Sequence, residues 1–348
     1  MKKTLFASTA AAAMVVGGMA AAQDITLFGD ARLGLGYNVN RGGDIIPDQS
    51  RILQGDDVRE DEIRAISRVR FGVRMTGETP TGITFGATIR ADNAIGGAGG
   101  GVAGNPAGNA FVSGTFGTLT YGDTNSAHQQ HAGDLPEVGL TGLGFFNEIP
   151  YRGNRFHARF DPTVAPEDRN LLTDQYTFRP IVRYDFDVAG FGISVSTDSE
   201  LNDIGVGASF ATDFAGGSFT IGGGYYDDTI DEQWALGVTG AFQGFSGNVI
   251  YTNVDGGLET IGVGLGTTFA DIGFNAFYNR ALSAGFAGNA GDLFPGILGV
   301  QGIDVDEDDD SFGIGMNFDL GGGASLRGGY ARSWRGTDAA DLGIQMAF

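Results

Sequence analysis

Along most of this chain apolar and polar positions alternate with period two, in segments of about ten residues separated by turn residues. The clearest segment is 63–75, IRAISRVRFGVRM, in which Arg64, Arg68, Arg70 and Arg74 all fall on even positions. Successive side chains of a strand point to opposite faces, so one face here carries Ile63, Ala65, Val69, Phe71, Val73 and Met75 and the other carries the guanidiniums. An apolar face backed by charges calls for hydrocarbon on one side and water on the other, which a transmembrane barrel wall supplies. The opposite register puts the arginines in lipid at roughly 2–4 kcal/mol each, on the order of 10 kcal/mol together. That sum sets the parity. The alternative, a soluble sandwich strand with a solvated basic face, does not account for the same pattern through the rest of the chain.

The parity extends in both directions. Segment 25–37 turns Ile25, Leu27, Ala31, Leu33, Leu35 and Tyr37 outward and Thr26, Asp30 and Arg32 inward; Ile83, Phe85, Ala87 and Ile89 face outward with Arg90 inward. The pattern recurs down to Leu342, Ile344, Met346 and Phe348. It predicts an all-β fold, a transmembrane antiparallel up-and-down β-barrel of about 16 strands. Short turns such as Ala189-Gly190 and Gln243-Gly244 belong to one rim and the longer loops to the other. Aromatics near strand ends, among them Tyr37, Phe186, Tyr225, Tyr251 and Phe269, suit the two interfacial girdles.

One connection is exceptional. Residues 123–175 form a span too long for a compact domain unless it is functional, and a barrel lumen can accommodate it. Its first half carries Asp134, Glu137 and Glu148, and its second half Arg152, Arg155, Arg159 and Arg169. Folded inward, the loop sets its carboxylates against a wall of Arg32, Arg64, Arg68, Arg70, Arg74, Arg90 and Arg183. Opposed charges at a constriction filter solutes by size and by field.

Composition narrows the picture. Residues 1–22 read as a cleaved signal peptide: Lys2 and Lys3, then a small-residue apolar stretch, then Ala20-Ala21-Ala22 before Gln23. Residues 23–348 are then a single exported barrel domain. With no cysteine there is no disulfide framework or thiol chemistry. Losing Lys2 and Lys3 takes the formal charge from −21 to −23 (−21 minus 2) and leaves arginine as the only side-chain cation apart from histidine. Such acidity argues against nucleic acid and anionic lipid as partners and leaves divalent cations as candidates.

Two clusters raise the question of metal. His128, His131, Asp134 and Glu137 recur every third residue, either gathering ligands on successive helical turns or lining an aqueous vestibule as polar loop residues. Asp306, Glu307, Asp308 and Asp310, beside Asp304 and Asp309, offer hard oxygen ligands for Ca²⁺; otherwise they form a solvated acidic loop. No other cofactor is indicated. No G-x-S-x-G, H-E-x-x-H or Walker loop is present, so the chain reads as no enzyme.

The order and spacing of DITLFGDARLGLGY, SGTFGTLTYGD, GDLPEVGLTGLGFFNEIPY and the terminal DLGIQMAF resemble the general trimeric outer-membrane porins, particularly their alphaproteobacterial branch. The resemblance spans nearly the whole mature chain. It implies a water-filled channel for passive diffusion of small hydrophilic solutes and ions, a homotrimer set in outer-membrane lipid and lipopolysaccharide, and a third loop narrowing the bore. In those terms Asp134, Glu137 and Glu148 are eyelet acids, the seven arginines are wall cations, and Phe348 ends an assembly signal. The arginine-rich second half of the loop departs from the pattern and leaves the ion preference open. Two alternatives stand beside this: a solute-selective porin with specific groups along the bore, and an outer-membrane hydrolase built around His128, His131 or His157.

Overall fold

The computed structural model describes residues 23–39, 63–91, 107–143, 146–147, 149–152, 180–199, 201–227, 232–255, 258–283, 310–333 and 338–348. The expected signal peptide, most of the first long loop, Glu148, Arg155, His157, Arg159, Arg169 and the acidic run 304–309 lie outside the described residues. The side chain of Arg64 does too.

Sixteen strands form one closed barrel in which each pairs antiparallel with its neighbours in sequence, and the first pairs with the last. They are β1 (Gln23–Tyr37), β2 (Ile63–Glu78), β3 (Thr84–Ala91), β4 (Ala107–Gly114), β5 (Gly117–Gly122), β6 (Ile181–Val188), β7 (Phe191–Asp198) and β8 (Ile204–Phe214). There follow β9 (Gly217–Asp227), β10 (Glu232–Phe242), β11 (Phe245–Val254), β12 (Glu259–Phe269), β13 (Ile272–Ser283), β14 (Asp310–Gly321), β15 (Ala324–Arg332) and β16 (Asp338–Ala347). A helix, α1 (Ala127–Ala132), lies between β5 and β6. Closure is sealed at the chain ends, where Gly29 and Phe348 exchange backbone hydrogen bonds. A closed barrel leaves no unpaired strand edge in hydrocarbon.

The expected parity holds in every strand. Ile63, Leu35 and Leu236 are 72%, 58% and 59% exposed on the outer wall, a state that only contact with lipid makes favourable. Arg68 and Arg70 occupy the opposite face of β2, with Asp30 of β1. Hairpins at the short-turn rim use the chirality that strand twist demands: Ala189-Gly190 and Gln243-Gly244 both hold positive φ at the two turn positions. Phe214, Phe242, Phe245 and Phe269 flank these turns on the outside, whereas Tyr225 against Trp234 and Phe312 against Tyr330 mark the long-loop rim.

The buried core does not lie within the wall. It is a seam between the long loop after β5 and the inner surface: Leu135, Val138, Leu140, Leu143, Ile149 and Tyr151 of the loop pack with Val39, Ile66, Ala235, Ile250, Phe277, Ala331 and Ala339. The third loop therefore folds into the lumen. Ile66, Ile250 and Phe277 are apolar side chains on the inward face, and the loop is what keeps them dry. At about 1.5–3 kcal/mol per fully buried large apolar side chain, the seam is worth on the order of 10 kcal/mol before the entropy of ordering the loop is subtracted.

Candidate functional site

The loop can approach the wall closely because the wall opposite it is glycine. Under α1, a Cβ at Gly224 would come within 2.7 Å of the His128 Cα, and one at Gly237 would collide with the Ala132 carbonyl oxygen. Further along, a Cβ at Gly262 would lie 2.7 Å from Leu135 and Ile149, and one at Gly329 would lie 2.7 Å from the Gly139 nitrogen. These are inward positions on β9, β10, β12 and β15. Many of the strand glycines that cost conformational entropy in a sheet thus form the bed of the loop. Gly139 itself has φ +79°, and any side chain there would run into Asp341.

Polar contacts complete the seat. At the loop's start, Arg183 of β6 donates to the Asn125 carbonyl (2.7 Å), and Ala127 N–H donates to Ser196 Oγ (2.8 Å). Arg90 of β3 reaches Asp123 at 3.8 Å. The imidazole of His131 bridges Ser194 (2.7 Å) and Ser209 (2.8 Å), and His128, fully buried, bonds Gln233 and Ser126 at 3.1 Å. Tyr226 stacks on the His128 ring, with centroids 5.0 Å apart, and Tyr151 meets it edge-on. Gln233 also accepts from Arg152 N–H and donates to the Pro150 carbonyl. On the far side Asp341 of β16 accepts from Leu140 N–H (2.8 Å), Thr141 N–H (2.7 Å) and the Thr141 hydroxyl (2.7 Å). Arg32 donates to the Leu140 carbonyl at 3.1 Å.

Burial holds the His131 imidazole below its ordinary range, since desolvation disfavours the cation; Asp185 opposes this and Arg183 reinforces it. The Tyr151 phenol, which donates to the Gly133 carbonyl, is pushed well above its ordinary range by burial and further by Asp134.

This arrangement corrects the metal reading of the histidine cluster, and the vestibule reading as far as His128 is concerned. α1 ends at Ala132 with Gly133 as its cap, so Asp134 and Glu137 continue in extended chain and share no helical face with His128 and His131. The ring nitrogens of both histidines face protein partners, and His128 lines no vestibule because it is buried. Among the described residues no group of three or more His, Asp or Glu is placed to hold a metal ion. Asp310 accepts from the Tyr278 hydroxyl at 3.2 Å; its candidate Ca²⁺ companions Asp306, Glu307 and Asp308 are outside the described residues.

Asp134 and Glu137 are exposed, although their backbones are pinned to the opposite wall: Asn248 donates to the Asp134 carbonyl (2.7 Å) and Asn275 to that of Glu137 (3.4 Å). The arginines divide into groups. Arg32, Arg90 and Arg183 engage the loop, and Arg183 also pairs with Asp185 at 2.9 Å. Arg68 (3.1 Å) and Arg70 (2.6 Å) converge on Asp30. Arg74 is exposed, with its guanidinium carbon 5.8 Å from the centroid of the Phe28 ring. Sequence reasoning placed Asp30 on the wet face without recognising it as the counter-ion of two wall arginines. It also passed over Asp341, Gln233, Ser194, Ser196 and Ser209. The available signal was parity: each is a polar residue at an inward position on a strand whose other face is apolar.

The chain is similar to known proteins. A porin of Rhodobacter capsulatus is 28% identical over 348 residues, with 93% of this chain and 100% of that protein covered. A porin structure refined at 1.8 Å superposes with a TM-score of 0.62 at 23% identity, covering 93% of this chain and 100% of the other. An engineered variant of Rh. blastica porin superposes with a TM-score of 0.56 at 17% identity and the same coverage. The sequence profile of the Gram-negative porins matches residues 7–338. A closed sixteen-strand wall, an apolar belt outside it and a loop bedded within it accompany a family match over nearly the whole chain, and the chain belongs to the Gram-negative porin family.

Proposed function

We propose that this outer-membrane channel passes small hydrophilic solutes and ions by passive diffusion through a constriction whose two sides carry opposite charge. Asp134 and Glu137 supply the acidic side, and Arg68, Arg70 and Arg74 the basic side. The observation that carries the reading is the loop's lopsided attachment. Most of its bonds go to β6 to β16, with Arg32 of β1 and Arg90 of β3 also reaching it, and Asp134 and Glu137 stay exposed while Arg68, Arg70 and Arg74 hold inward positions on β2. A field of that kind orients water and dipolar solutes and makes apolar ones shed hydration. Asp30 neutralises part of the basic side, which leaves two net positive charges there against the two carboxylates of the loop. Porins are channels and not enzymes, so the hydrolase alternative falls away; His128 and His131 hold the loop. Planar-bilayer recordings under a salt gradient test the proposal. Replacing Asp134→Asn together with Glu137→Gln is expected to move the reversal potential toward anions, and an unchanged potential removes both residues from the constriction.

A homotrimer is part of the same proposal. Strands β3 to β7 have 6 to 8 residues, against 10 to 12 in β8 to β14. A strand spanning a bilayer needs about 9–11 residues. The short sector is still apolar outside, with Val112, Leu119, Tyr184 and Val195 exposed, which suits contact with another subunit better than contact with lipid. Conductance steps arriving in threes are the expected signature; single steps throughout would exclude it. Lipopolysaccharide contact at the long-loop rim, with divalent cations bridging its acidic residues, completes the proposed surroundings.

A further inference from the structure

Below the arginine–aspartate cluster, toward the short-turn rim, the inner wall changes character. Strand pairing aligns Thr26, Arg74, Thr88 and Asn109 in one row across β1 to β4, all at inward positions. Phe28 stands in the next row on one side, paired with Gly72, and Phe111 in the next row on the other, paired with Gly86. Both rings lean over those glycines: a Cβ at Gly72 would collide with the Phe28 ring, and one at Gly86 would sit 2.7 Å from the Phe111 ring. Same-face rows are two residues apart, so the aromatic rows are about 13 Å apart along the strands, with the row of donors midway. Porin interiors are ordinarily polar. Neither ring is covered by the loop's buried seam, whose members are elsewhere on the wall. Arg74 is exposed above Phe28, and among the described residues no carboxylate lies within salt-bridge distance of it.

We infer that this row is a solute-binding subsite for monoanions with a flat apolar body, of which aromatic carboxylates are the simplest class. The carboxylate is held by the Arg74 guanidinium, a fork that matches it bidentately, with the hydroxyls of Thr26 and Thr88 beside it. The ring of the solute lies along Phe28 or Phe111, offset-stacked or edge-on. A small hydrophilic anion such as acetate gains only the first of these contacts. The inference rests on the reading above that the bore is an open diffusion path, and it adds a class of solute that dwells there.

The test uses the purified full-length channel in planar bilayers, with its conductance in potassium chloride recorded first. No conductance at that stage is a failure of the diffusion reading; the inference is judged only on a conducting channel. Sodium benzoate, cyclohexanecarboxylate and acetate are then compared at equal concentration and ionic strength. Saturable, concentration-dependent reduction of current by benzoate, about fivefold weaker with acetate, is expected. Phe28→Leu keeps the apolar bulk and should weaken benzoate block about threefold without altering chloride conductance, and Arg74→Gln should abolish it. Equal effects of benzoate and acetate on the unmodified channel overturn the inference without recourse to any variant. So does a Phe28→Leu, Phe111→Leu channel that still conducts and is still blocked as before.

Discussion

The two flanks of the bore have the same strands and the same alternation, yet they behave as different materials. From β6 round to β16 the inner wall is glycine, serine, asparagine and buried apolar residues, and the loop lies directly on it. From β1 to β4 the loop touches the wall at Arg32, Gly34, Ile66 and Arg90, and the rows nearer the short turns carry arginine, threonine and two phenylalanines at inward positions. A guanidinium on the first flank is a structural tie: Arg183 closes on a loop carbonyl and on Asp185. On the second flank Arg32 and Arg90 are ties as well, whereas Arg74, nearer the short turns, is exposed. The same residue type at the same parity therefore takes its role from what lies opposite it. Charge count alone overstates the basic side of such a constriction.

Four changes should break or sharpen that contrast. The largest effect is expected from Gly237→Leu, which drives a side chain into the Ala132 backbone. It should cost about 3 kcal/mol or more by overpacking and unseat α1, read as a lower unfolding temperature and a larger single-channel conductance. Unchanged conductance and melting would mean that the helix does not depend on its glycine bed. Asp341→Ala removes three acceptor contacts and leaves the Leu140 and Thr141 N–H groups unpaired. A loss of about 2–4 kcal/mol should follow, with proteolytic nicking of the loop as the readout.

Acidification comes third. Because burial holds the folded-state pKa of His131 below its ordinary value of about 6.5, the group is neutral in both seated and unseated loop at pH 7. As pH falls below that ordinary value the unseated loop takes up the proton first, so the seat weakens until the lower folded value is passed. Open-channel noise should therefore rise as the pH is lowered through about 6.5 and should not do so in His131→Gln; identical profiles would place the acid response elsewhere. The smallest expected effect is that of Asp30→Asn, which releases Arg68 and Arg70 from their counter-ion. A modest shift of reversal potential toward anions, with no change in loop proteolysis, distinguishes a field residue from a seat residue.

The barrel, its strand number, the sidedness of each strand and the rim to which each turn belongs were all legible from alternation, because lipid outside and water inside penalise any other register by several kcal/mol per misplaced arginine. The long connection was legible as an inward loop from its length alone. The division of labour among the arginines was not, nor the pairing of Asp30 with Arg68 and Arg70, nor the capture of Leu140 and Thr141 by Asp341 two hundred residues away. Alternation reports which way a side chain points. Its partner across a wide lumen depends on where the loop comes to rest, and that is decided by close packing between backbone and glycine, which leaves no periodic mark on the chain.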